Sequence, residues 1–318
     1  MRHWSDPLIV FKALYRYTCR AIPSKIPNAT VKRCAFVAKS LLHPRLSTAW
    51  FSLLSKVPLR DLVELDPSLC RRLRPPYLCA DWSSREILAI LKQHYEWAVH
   101  CLPPSMFQAL YLRNELLLAT WTTKRRYVVY LRHCGKSRSY RKEGELVIDL
   151  ECLDEPGELT SMIGTVALDP EGRRCFYIGG VQGALKHLGA TSIKQAMREM
   201  HDLRPKSLVF FVAQTLACAW GCQRILAVTE TSHAYGIHKK RKFQKGDEIH
   251  FDYNAAWIEV GGTAASANFY ELPLVTPRRS REQMKPNHRP KYARRYAMMD
   301  DIVAQITAHL PFQTSLNN

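Results

Sequence analysis

The chain has no CxxC pair and no clustered His/Cys set, although it contains 10 cysteines and 12 histidines. A structural zinc site needs four converging ligands, usually delivered as close pairs, so no metal is expected. Scattered thiols outside a short secreted frame suit a reducing cytoplasm. No stretch reaches the ~20 apolar residues that span a bilayer. The best, Ser207 to Trp220, is short and interrupted by Gln214 and Thr215. The N-terminus lacks the charged, apolar, small order of a signal peptide. The expectation is a soluble or peripheral protein, not an integral one. Also missing are the G-x-S-x-G of a hydrolase, the Lys-Ser/Thr of a Walker loop and the spacing of a dinucleotide fingerprint. There is no internal repeat, no low-complexity tract and no recognisable base-reading motif.

Acidic residues are scarce too: 28 against 46 basic ones, for a net charge of +18 and a pI near 9.6. Such a balance expects an anionic partner: phospholipid, lipopolysaccharide, a phosphorylated ligand or nucleic acid. With no motif to read bases, nucleic acid ranks below the others. An apolar fraction of 47% is enough for a substantial core.

Residues 1–122 read as mostly helical. Trp4, Leu8, Phe11, Tyr15 and Ile22 share one face of an amphipathic helix, with Lys12, Arg16 and Arg20 on another. Such a helix fits either an anionic membrane surface or its own domain. Helical patterns follow at Val31 to Leu54, Leu59 to Leu65 and Ser84 to Cys101, the last opening on Ser83 and Glu86 in capping-box spacing. An apolar stretch runs from Met106 to Trp121. From Arg126 the period becomes that of strands, at Tyr127 to Arg132, Glu145 to Cys152, Met162 to Leu168 and Cys175 to Gly179. Turn signals separate them, so a meander is expected. Ile193 to Leu203 and Ser207 to Trp220 read as helices and Arg224 to Thr229 as a strand. Ile249 to Tyr253, Trp257 to Val260 and Asn268 to Leu272 read as further strand-like pieces. The class is α+β, with a core at 123–275 and a basic linker and C-terminal helix at 276–318.

Three places carry candidate chemistry. The first is FYIGGVQGA, Phe176 to Ala184, where Gly179, Gly180, Gln182 and Gly183 allow close backbone approach. The second is the helix start Arg204-Pro205-Lys206-Ser207, where Pro205 suits the first turn and cations flank donors that favour anions. Together they read either as a site for a phosphate-bearing ligand or as a buried helix between two strands. The third follows a strand: Glu230 or His233 as general base and Tyr235 as acid; these residues equally fit a loop held by hydrogen bonds. His250 and Asp252 alternate along a strand pattern. The basic run His238 to Lys242, with Lys245, is either a phosphate-binding or a solvated loop.

Six ordered segments resemble the VirK/YbjX family of bacterial proteins. They are IGGVQG (Ile178 to Gly183), LRPKSL (Leu203 to Leu208), ILAVTETSHAY (Ile225 to Tyr235), AWIEVGG (Ala256 to Gly262), FYELP (Phe269 to Pro273) and YARRYAMMDDI (Tyr292 to Ile302). Where that family often has a Tyr-Asp pair, this chain has Tyr253-Asn254. The resemblance implies a role in envelope maintenance, virulence or stress response and brings no established reaction. The strand, helix and strand from Phe176 to Thr229 also look like the core of GNAT-type acyltransferases. That likeness implies acyl-CoA or a similar phosphorylated carrier as cofactor, held at Gly179 to Gly183 and Arg204 to Ser207. The expectation is a cytoplasmic acyltransferase, able to sit peripherally on the inner membrane. The rival is a non-enzymatic factor that engages anionic lipid, protein or nucleic acid through its basic surface.

Overall fold

The computed structural model describes residues 27–135, 140–235 and 252–310, with a few isolated positions between 15 and 24. The amphipathic helix at Trp4 to Ile22 lies mostly outside these residues. The basic run His238 to Lys242, with Lys245 and His250, lies wholly outside them.

Helices come first: α1 (Ala29–Leu42), α2 (Pro44–Leu54), α3 (Leu59–Leu65) and α4 (Ser84–Cys101), followed by a short α5 (Pro104–Phe107) that runs into a π-turn over Gln108–Leu112. The α4 capping box forms as read: the Ser83 hydroxyl accepts from Glu86 N–H, and the Glu86 carboxylate accepts from Ser83 N–H at 2.7 Å. The sheet follows with β1 (Leu116–Thr122), β2 (Arg126–His133), β3 (Leu146–Cys152), β4 (Glu155–Leu168) and β5 (Arg174–Gln182). Helices α6 (Gly189–Glu199) and α7 (Pro205–Ala219) lead to β6 (Arg224–Val228). After α8 (Tyr253–Glu259) come β7 (Thr263–Ala264), β8 (Phe269–Leu272) and the long α9 (Arg289–His309).

The strands form one sheet in the order β1-β2-β3-β4-β5-β6-β8-β7. Every pair is antiparallel except β5–β6, which is parallel from Cys175–Arg224 to Ile178–Ala227 and is joined through α6 and α7. The α+β class and the meander are thus as expected. α7 is apolar on nearly every side because it is packed within the fold, with Leu208, Val209, Val212, Ala213, Leu216 and Ala217 fully buried. Pro205 occupies its first turn, as read. β3 stops pairing with β4 at Gly164, and α4 takes over the open edge. There His94 Nδ1 accepts from Val166 N–H at 3.3 Å, and Gln93 Oε1 accepts from Leu168 N–H at 3.0 Å. One hydrophobic core runs from Phe36 to Leu310 and joins the first helices to the sheet.

Three expectations need correction. The apolar stretch Met106 to Trp121 is not one helix: it divides at Asn114, whose φ is +57°, and its second half is β1. Trp257 to Val260 is not strand but the body and cap of α8. Tyr253 and Trp257 are one helical turn apart and both buried, Asp252 caps the helix by accepting from Ala255 N–H at 2.8 Å, and Gly261 ends it at φ +88°. The helix read at Ile193 to Leu203 begins at Gly189 and ends at Glu199, because His201 and Asp202 adopt left-handed backbone at φ +57° and +60°. Among the described residues no helix is long and apolar enough to cross a membrane.

Candidate functional site

Gly179 and Gly180 are strand residues of β5, not a turn. What they admit is another part of the chain. A Cβ on Gly179 would lie 1.9 Å from the carbonyl oxygen of Glu143, and one on Gly180 would lie 2.0 Å from its carboxylate. The segment before β3 is therefore laid flat against the end of β5. Gly183 differs: it is exposed and a Cβ there would meet nothing within 4 Å.

Glu143 is only 2% exposed, so its carboxylate needs partners inside the protein. Gln182 Nε2 donates to both of its oxygens, at 3.0 and 2.8 Å. His233, 6% exposed, places Nε2 at 3.3 Å from the carboxylate. Its other nitrogen, Nδ1, accepts from Tyr235 N–H at 3.3 Å. With Nδ1 accepting, the neutral ring carries its proton on Nε2, facing Glu143. The imidazole stacks on Tyr253 with ring centres 4.7 Å apart, and the Tyr253 hydroxyl accepts from Val181 N–H at 3.5 Å. Burial, reinforced by the Glu143 charge, pushes the phenols of Tyr253 and Tyr235 above the ordinary range, so both stay protonated. Lys142 Nζ lies 6.0 Å from the Tyr235 ring centre.

The loop after β6 holds this geometry by strand-like pairing with Cys79. Ala80 N–H donates to the Ser232 carbonyl at 2.7 Å, and the single Ser232 hydroxyl lies between two acceptors, Asp81 at 3.0 Å and Asn268 at 2.8 Å. Ser232 is thus a structural pin. Glu230 is half-buried, and its N–H donates to Asn254 Oδ1 at 3.1 Å, which ties the loop to α8.

The structure therefore brings Gly179, Gly180, Gln182, His233 and Tyr235 together around Glu143. The basic helix start has other surroundings. Arg204 pairs with Glu259 at 2.6 Å, both about two-thirds exposed, while Lys206 is exposed and Ser207 half-buried in the first turn of α7. Asp252, read on a strand face with His250, is the α8 cap. Glu143 and Tyr253 are the site residues that sequence reasoning missed. Tyr253 followed from a helical period taken for a strand, whereas Glu143 has no spacing that marks it. Elsewhere Asp149, Glu151 and Glu158 converge, but Arg132 already pairs with Asp149 at 3.0 Å and with Glu151.

A second buried network adjoins this one. Glu145, fully buried, faces Arg72 at 3.3 Å and His133 Nε2 at 3.3 Å and accepts from the Tyr95 hydroxyl. Burial alone would raise its pKa, but Arg72, with His133, outweighs that and holds the carboxyl at about 2. The Arg72 guanidinium also donates to the carbonyls of Arg141 and Cys134, pinning the segment that presents Glu143. The site is thus built on an ion pair sealed inside the fold.

Known proteins resemble this chain over part or most of its length. It is 32% identical to the "Uncharacterized protein YbjX" of Escherichia coli K12 over 300 residues, covering 94% of this chain and 89% of the other. An "Uncharacterized protein" of Haemophilus influenzae Rd is 22% identical over 225 residues, 71% of this chain and 72% of its own. Another from the same organism is 28% identical over 133 residues, 42% and 43% of the two chains. The family model described as "Protein of unknown function (DUF535)" matches residues 25–308, a span that takes in Glu143, His233, Tyr253 and the Arg72–Glu145 pair, and the chain belongs to that family, the one that includes YbjX.

Proposed function

We propose that the protein binds an acyl-CoA-type carrier at the C-terminal ends of β5 and β6 and transfers its acyl group to an envelope or protein acceptor. It would do so in the cytoplasm, peripherally on the inner membrane. The observation that carries this reading is the departure of β5 from β6. Their pairing stops at Ile178–Ala227, β5 runs on through Gly179 to Gln182, and His233 and Tyr253 stand in line with that end. In open α/β sheets ligands bind in crevices at the carboxyl ends of parallel strands, and β5–β6 is the one parallel pair among the described strands. The meander, the parallel pair and the two helices α6 and α7 between its strands support the GNAT-like reading of the core as a likeness of fold.

In this proposal the acceptor's amine or hydroxyl attacks the thioester carbonyl and gives its proton to His233. The Glu143 carboxylate stabilises the resulting imidazolium, and Tyr235 protonates the departing thiolate. Since Nδ1 of His233 accepts from Tyr235 N–H and Nε2 faces Glu143, the ring becomes a base only once a ligand displaces the Tyr235 N–H. The loop then moves as the carrier enters. Arg204 and Lys206, at the start of α7, would meet the carrier's phosphates.

The test is a thermal-shift titration with acetyl-CoA, run on wild type, on Arg204→Glu and on Lys206→Glu. At ~100 times its dissociation constant the ligand adds about 2.7 kcal/mol of stability, which the charge reversals should reduce. Release of free thiol from acyl-CoA should then fall at least ~100-fold in His233→Gln. A well-folded protein whose melting temperature ignores acetyl-CoA would remove the proposal.

A further inference from the structure

Two cavities meet at Arg74 and Pro75, and neither is lined by Glu143, Gln182 or His233. The first, about 420 Å³, lies among the opening helices; Phe36, Leu42, Leu46, Trp50, Phe51 and Leu73 give it apolar walls, with Lys39, His43 and three serines also in its lining. The second, about 200 Å³, is lined by Arg71, Arg72, Arg74, Arg141 and Lys142, with Ser68 and Tyr77. One is an apolar slot and the other a basic cup.

Among the described residues only one of the cup's cations is ion-paired. Arg72 is matched to Glu145, but among the described residues no carboxylate pairs with Arg71, Arg74, Arg141 or Lys142. Burial, and then the neighbouring Arg141, lowers the pKa of Arg71; burial and Arg71 do the same for Arg74; burial, Arg141 and Arg71 do so for Lys142. These cations are pressed together at a cost, and an anion among them would relieve it. Asp66, whose Oδ1 accepts from Ser68 N–H at 3.0 Å and from the Ser68 hydroxyl at 2.6 Å, makes no ion pair with these cations among the described residues.

Arg74 joins the two cavities physically. Its guanidinium lies 4.3 Å from the Phe36 ring centre on the apolar side, and its Nη2 is buried without a hydrogen-bond partner among the described residues. A buried guanidinium N–H left unmade asks for an acceptor. Leu42, 74% exposed, stands among the residues lining the slot.

We propose that the slot and the cup form one binding site for a single-chain phospholipid, with the phosphate among Arg71, Arg74, Arg141 and Lys142 and the acyl chain between α1 and α2. The charge of the cup selects the anion, and the slot beside it selects an attached apolar chain. The site requires no acyl transfer, and acetyl-CoA, which has no long chain, probes the crevice at β5 without it.

The experiment is titration calorimetry of the full chain with palmitoyl lysophosphatidic acid below its critical micelle concentration. Inorganic phosphate and monopalmitoylglycerol are run beside it. One lipid should bind per chain, at least ~10-fold more tightly than either fragment, since each lacks one half of the recognition. Leu42→Asp changes an exposed leucine and Arg71→Gln removes one charge from the crowded cations, so each should weaken binding about 10-fold without lowering the melting temperature. Arg281→Gln, an exposed cation elsewhere, should bind like wild type. Phosphate binding as well as the lipid would overturn the slot, and monopalmitoylglycerol binding as well would overturn the cup. Absence of lipid binding, or equal weakening by Arg281→Gln, would overturn the whole site.

Discussion

A β-carbon on Gly179 would overlap a backbone oxygen, that of Glu143 at 1.9 Å, and no rotamer change can relieve that contact. On Gly180 it would strike the Glu143 carboxylate, which has freedom to swing aside but would then leave Gln182 and His233. On Gly183 it would meet open space. Gly179→Ala should therefore destabilise by roughly 1–3 kcal/mol or more, the range for forcing extra volume into a packed interior. Gly183→Ala should stay within ~0.5 kcal/mol of wild type. Urea denaturation of the two variants checks this, and equal midpoints would contradict the close approach of Glu143. The comparison also bears on what the sequence discloses. A glycine pair signals that something comes near, and FYIGGVQGA carried that signal. Nothing in the sequence names the visitor, because Glu143 arrives from another strand's approach. His233 stands out for a complementary reason: it follows a strand directly, so a loop residue there falls at the end of the sheet.

The elements that could be read had local causes. α4 is bounded by Ser83 and Glu86 at one end and Pro103-Pro104 beyond the other, and the structure keeps both limits. Replacing the cap by Ser83→Ala frees one N–H at the helix start and should cost about 1 kcal/mol. The drop would be read as a lowered denaturation midpoint with an unchanged slope. The consequence extends past the helix, because α4 supplies Gln93 and His94 as acceptors to the open edge of β4. The elements that could not be read owe their form to distant partners. β1 is apolar enough to pass for helix; its Leu116–Leu131 to Thr122–Arg126 pairing with β2 fixes it as a strand, and Gln305 of α9 closes its outer edge by bonding both N–H and C=O of Thr120 at 2.9 Å. α8 is too short for periodicity to outvote Trp257 and Val260, two residue types that favour strands.

At the scale of the whole molecule, the Arg72–Glu145 pair fastens the helical region to the sheet through side chains 4% and 0% exposed. Removing one partner from a buried pair leaves a charge without compensation, so Arg72→Met should cost about 3–5 kcal/mol. Arg72→Met/Glu145→Gln should cost clearly less than the sum of its two single changes. The same pair predicts a pH dependence whose direction tests the electrostatic cause. Glu145 is held at about 2, below its ordinary 4.5, so its contribution is complete above 4.5 and is lost as pH falls toward 2. His94 acts in a higher window. Burial lowers it from 6.5 to about 4, so the unfolded chain takes up a proton that the folded one refuses. Stability then falls with acid across that window, by at most about 1.4 kcal/mol per pH unit for one proton. In Arg72→Met the Glu145 carboxyl loses the cation that offset its burial, its pKa moves above the ordinary range, and protonation relieves the buried charge. The stability gap between wild type and Arg72→Met should therefore narrow as pH is lowered from about 6 to about 3. Denaturation curves for both proteins across that range give the gap directly. A gap that stayed constant would mean that Arg72 holds the fold through its bonds to the Arg141 and Cys134 carbonyls, with the charge of Glu145 contributing little.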